Sequence, residues 1–157
     1  MLNVFRYSFA ITLLWIGFIL AISFVETPVR FQVESLKQAD VLAIGHRVFH
    51  ALNYAEIGFA TIIAISLFAT RPSALCLCVA GIAIAILAVQ TWMLFGILDE
   101  RTLAKIAGEE LPDSPWHLVY IGLELIKLAF LTGLASMQIR QFAQTSCPTE
   151  QSVMTEE

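Results

Sequence analysis

Four runs of roughly 20 apolar residues, at about residues 4–25, 46–69, 73–98 and 116–137, constrain this chain more than any other feature. A hydrocarbon core about 30 Å thick takes roughly that many helical residues to cross, and inside it every backbone amide and carbonyl must be paired within the segment. The runs predict an all-α integral membrane four-helix bundle of up-down topology, with its two longer connectors on one side. Residues 1–140 form the membrane domain and 141–157 a polar, disordered tail. Composition agrees: only 14% of the 157 residues are charged, against about 25% in an ordinary soluble domain. A net charge of -4 offers no basic face to nucleic acid. Cys76, Cys78 and Cys147 form no disulfide framework.

The borders of the runs carry their own signals. Arg6 and the small residues Ala21 and Ser23 loosely resemble a signal peptide, but the apolar run exceeds the roughly 7 to 15 residues of a signal core, so it is read as a retained span. Pro28 is expected to close or bend the first helix. Glu26 and Arg30, four residues apart, are expected to form an interfacial pair. Arg71-Pro72 ends the second span, and Asp113-Ser114-Pro115 caps the fourth. In the third span Gly81 and its small neighbours allow close helix approach, while Cys76 and Cys78 point roughly 200° apart and cannot chelate one ion on an intact helix. The connector from Asp99 to Pro115 is acidic without the spacing of a calcium loop, and is expected to be a solvated loop.

Polar residues inside the runs mark the candidate site, because lipid does not solvate them. His46, His50, Asn53 and Glu56 fall within about 120° of arc on the second helix, Glu56 lying about 9 Å below His50. Gln90 lies about 12 Å inside the third span. On the fourth, His117, Tyr120, Glu124 and Lys127 share an arc of about 80°, with Glu124 and Lys127 roughly 10 and 15 Å deep. An ionised lysine there costs about 3 kcal/mol and requires a carboxylate partner. Up-down topology then gathers Asn53, Glu56, Gln90, Glu124 and Lys127 into one polar layer, suited to binding or proton relay, beneath His46, His50 and His117. The two halves also share a pattern, an apolar span and an acidic connector followed by a helix with histidine and then glutamate, which hints at a duplication with a site at its interface.

The segments V-E-T-P-V-R-F, G-H-R-V-F-H, L-D-E-R-T and S-P-W-H-L-V-Y resemble those of small four-span bacterial membrane proteins of uncharacterised function. More distantly, the chain is similar to the human transmembrane protein two-hundred-and-five group, linked to cisplatin and heavy-metal resistance. By topology it is also similar to four-span haem-binding protoporphyrinogen oxidases, although no histidine stands in its first span. The resemblance implies the bacterial inner membrane.

Three functional readings follow. In the first, the layer binds or passes a small cation, a metal complex or a proton. In the second, His46, His50 and His117 ligate haem or a transition metal for redox chemistry, since imidazoles at i and i+4 share a helix face. In the third, the chain is a structural partner in a homo-oligomer or larger membrane complex, its buried polar groups setting helix register. No catalytic motif is recognised, so a binding or transport protein is expected rather than an enzyme. Its partners are the bilayer and a small-molecule or metal ligand. Arg6, Arg71 and Arg140 at the span ends place the termini in the cytoplasm.

Overall fold

The computed structural model describes residues 8–112 and 114–146. Among these it is all-helical, with four helices each long and apolar enough to cross a membrane: α1 (Ser8–Arg30), α2 (Gln38–Thr70), α3 (Ala74–Ile106) and α4 (Trp116–Ser146). Side-chain pairs give their directions. Ascending α1, Trp15 meets Glu56 and Arg30 meets Gly45; descending α2, Asn53 meets Thr91 and His50 meets Asp99. Gln90 of α3 meets Glu124 of α4, and Thr12 of α1 meets Gln138 near the far end of α4. The helices therefore run up and down around a closed ring, as expected. The connectors after α1 and α3 lie at one end.

The helices outrun the apolar stretches. Helix α1 continues through Pro28 to Arg30 instead of ending there, by way of a π-helical segment, Leu20–Glu26. The widened turn takes up the proline's missing amide and its ring; Thr27 donates from its backbone amide and from its hydroxyl (3.0 Å) to the Ile22 carbonyl. Helix α2 begins at Gln38, eight residues before the expected start at residue 46. Helix α3 runs on to Ile106, so the first half of the expected acidic loop is helical, and α4 carries six residues of the expected tail. The remainder of that tail, 147–157, lies outside the described residues. Hydropathy reports where apolar solvent ends, whereas a helix ends where its backbone bonding ends.

The ends themselves follow local chemistry. Arg71 adopts a left-handed conformation (φ 45°), its amide donating to the Leu67 carbonyl at 3.0 Å, and Pro72 disfavours further helix at that point. Ser73 accepts from the Cys76 amide and Ser114 from the Trp116 amide, both at 3.4 Å, opening α3 and α4. The capping role expected of Asp113 lies outside the described residues.

Three layers stack along the bundle. At the end holding the α2–α3 turn is an apolar core of Trp15, Ile19, Ile63, Leu67, Leu131 and Leu134, with Cys76 buried among them and Cys78 exposed. Ala60, Ala80 and Ala83 are buried here and allow close helix approach. Gly81 does not take part, since a Cβ built on it meets no atom within 4 Å. A polar layer follows, and then a cavity at the connector end. Outward, large apolar side chains such as Leu14, Ile65, Phe68, Trp92 and Leu125 are exposed.

Candidate functional site

The polar layer is assembled from three helices, two of its four residues coming from α4, each placed by the inward stripe of its own helix. Glu56 (α2), Gln90 (α3), Glu124 and Lys127 (α4) are all buried, Lys127 and Glu56 with no exposed surface at all. The Lys127 ammonium lies 2.5 Å from Glu56 Oε1 and 3.2 Å from Glu124 Oε2, and donates to Gln90 Oε1 at 2.9 Å. Gln90 Nε2 donates to Glu124 Oε2 at 2.7 Å and, more weakly at 3.4 Å, to the Tyr120 carbonyl. Glu56 Oε1 also accepts from Trp15 Nε1 at 2.9 Å. Each acid keeps one buried oxygen without a hydrogen-bond partner, Glu56 Oε2 and Glu124 Oε1.

Four of the five residues expected in the layer therefore meet there. Asn53 does not: its amide donates to Thr91 Oγ1 at 2.8 Å on the face between α2 and α3. Trp15 was not anticipated, because a tryptophan in an apolar span at helical spacing reads as packing. Its indole N–H reaches a carboxylate only because α1 packs along α2.

Above the layer, His46 and His50 converge on a residue that the sequence placed in a solvated loop. Asp99 Oδ1 lies 2.5 Å from His46 Nε2 and 3.0 Å from His50 Nε2, and the two Nε2 atoms are 3.3 Å apart. The extension of α3 explains this. Thr91, Phe95 and Asp99, at i, i+4 and i+8, form a stripe facing α2, where they meet Asn53, the His50 ring (centroids 4.7 Å apart) and the histidine pair. That spacing was legible once α3 is drawn beyond Leu98. His117, the third histidine of the expected set, stands apart from this cluster and lines the cavity. The two imidazole nitrogens, 3.3 Å apart, match the edge of a tetrahedron around an ion held at about 2.0–2.1 Å, while Asp99 Oδ1 lies nearer to both and would have to draw back; with that shift the three side chains are chemically competent to ligate zinc or a related divalent ion.

The cavity, about 600 Å³, is walled by Arg30, His46, Asp99, Arg101, Lys105 and Tyr120 together with apolar side chains. The expected pair of Arg30 and Glu26 forms at 3.3 Å, but Arg30 is buried rather than interfacial, lying across α2 at Gly45. Tyr120 links the two regions: its side chain walls the cavity, its carbonyl faces Gln90, and Glu124 stands one turn further down α4.

No known protein family, curated protein or solved structure matches this chain.

Proposed function

We propose that this is a multi-pass membrane protein that binds a proton in its central layer and exchanges it with the connector side, serving the passage of protons or small cations. Its apolar exterior and charged interior support residence in a bilayer, the reverse of what water selects. The observation that carries the proton reading is the charge count: two carboxylates share one ammonium at a site sealed from solvent. A net negative charge there is costly, and one added proton on the free oxygen of either acid makes the layer neutral. Lys127, touching both acids, lets the proton reside on either. The cavity above Tyr120 supplies the route from the connector end, while the leucine-rich core below closes the other end.

Infrared spectroscopy of the protein in liposomes tests this. A carbonyl band of a protonated carboxylic acid, shifting on exchange into heavy water, is expected in the native chain and absent in the Glu56→Gln/Glu124→Gln variant. A native spectrum with carboxylate bands alone sinks the proposal.

A second reading is favoured by the convergence of His46, His50 and Asp99, which supports binding of a transition-metal ion beside the cavity. Cobalt titration is expected to yield a visible ligand-field spectrum that His50→Ala and Asp99→Asn each abolish. A spectrum unchanged by both substitutions removes that reading.

A further inference from the structure

The cavity at the connector end has a basic wall that a proton route does not require. Leu98, Arg101, Thr102 and Lys105 stand at i, i+3, i+4 and i+7 on α3, and all four line it. The last three belong to the stretch that composition marks as acidic, yet the helical turn sets Arg101 and Lys105 on the cavity side. Its described lining carries three permanent cations, Arg30, Arg101 and Lys105, against one carboxylate, Asp99, which is already engaged by two imidazoles. Arg101 donates to the Pro112 carbonyl, a neutral partner.

Arg30 points most directly to a ligand. It is only 8% exposed, and a guanidinium offers five donors, yet its one acidic neighbour is Glu26 Oε1 at 3.3 Å. Its Nη1 is the atom facing Glu26 Oε1, in an ion pair without hydrogen-bond geometry, and its Nε is buried without any acceptor. The group is held against Gly45, where an added Cβ would lie 2.6 Å from both Nη atoms and would push the guanidinium aside. A buried guanidinium with unused donors, lining a cavity of ligand size, suits a planar or tetrahedral oxyanion. Phe31, Phe49 and Phe95 line the same space and suit an apolar body.

We propose that this cavity binds an amphipathic anion, a carboxylate or phosphate group received by Arg30, Arg101 and Lys105 with its apolar portion among the phenylalanines. The binding is independent of the proton held in the central layer, so its failure leaves that reading untouched.

The test uses the full chain in phosphatidylcholine nanodiscs with radiolabelled dodecanoate as probe, counted above protein-free nanodiscs. Saturable binding is expected, not displaced by dodecanol and weakened about tenfold or more by Arg30→Gln. Gly45→Ala is expected to weaken it as well, by displacing the guanidinium without removing its charge. The Arg101→Ala/Lys105→Ala variant changes half-buried and exposed residues toward the outer end of α3, away from the buried core, and is expected to lose a similar factor. Substituting phosphatidylglycerol for part of the lipid separates the sources: displacement of dodecanoate identifies a lipid phosphate as the occupant, and persistence identifies a free carboxylate. Competition by dodecanol equal to that of dodecanoate, or unchanged affinity in the Arg101→Ala/Lys105→Ala variant, overturns the proposal.

Discussion

At Lys127 two carboxylates compete for one ammonium, and the cost of each substitution there follows from counting charge. Glu56→Gln leaves one acid and one base, and the new amide oxygen still accepts from Trp15 Nε1. That variant is expected to lose no more than about 1 kcal/mol. Lys127→Met leaves two acids without a cation and is expected to lose roughly 3 kcal/mol. Glu56→Gln/Glu124→Gln strands the ammonium and should cost about as much as Lys127→Met, far more than its single components together. Unfolding of the purified variants in mixed micelles measures all three. Glu56→Gln as damaging as Lys127→Met would mean that both acids are ionised in the native bundle. Trp15→Phe belongs to the same scale: it removes one hydrogen bond to a charged group, and a loss of about 1 kcal/mol in the same unfolding measurement is expected.

Among the helices, α3 shows how a stripe of residues is kept facing inward over a length that regular α-helix would not sustain. Its inward residues are Cys76, Ala80, Ala83, Leu87, Gln90 and Leu94, in steps alternating between four and three, after which Leu98 adds a second consecutive step of four. The extra residue falls where the helix widens into a π-helical segment, Gln90–Leu94. Deleting Met93, an exposed residue in that segment, should let the turn tighten to α while both flanks keep their faces. Deleting Ile82, also exposed but in regular α-helix, rotates Cys76 and Ala80 out of the core by about 100°. The first deletion is expected to retain most thermal stability and the second to lose most of it; equal losses would show that the widened turn absorbs nothing. These elements also mark how far the sequence could be read. Glu56, Gln90, Glu124 and Lys127 were legible because a deep polar residue stands out in an apolar run and topology leaves it one neighbourhood. Asn53 was misassigned because Thr91, its partner, barely disturbs hydropathy. Asp99 was hidden among other acids, since charge composition does not tell a helical face from a loop. Arg30 was read correctly as the partner of Glu26 but not as buried, for that depends on Gly45 across the bundle.

For the whole molecule, the layered build makes the two ends unequal: one is closed by a leucine-rich core, the other opens into a cavity walled partly by basic residues. Orientation therefore decides which compartment the cavity samples. A raw count puts Arg30, Lys37, Arg47, Arg101 and Lys105 at the connector end and Arg6, Arg71 and Arg140 at the other. Topology is set by charge free to interact at the membrane surface; Arg30 is buried and Arg101, half-buried in the cavity wall, is tied to the Pro112 carbonyl, whereas Lys105 at the cavity's rim is exposed. Discounting Arg30 and Arg101 leaves three against three, with Arg71 and Arg140 exposed close to the apolar ends of α2 and α4. The termini are accordingly expected in the cytoplasm and the cavity on the opposite side. In a variant with Cys76→Ala and Cys78→Ser, Cys147 is the remaining thiol, and a membrane-impermeant maleimide should label it only after cells are permeabilised. Moving the single thiol to the other end, by adding Glu109→Cys and Cys147→Ser, should give labelling of intact cells. The reverse pattern would place the cavity on the cytoplasmic face and direct the search for its ligand to metabolites and inner-leaflet lipids. Equal labelling of both sites in intact cells would contradict four crossings altogether, because residues 109 and 147 are separated by α4 alone.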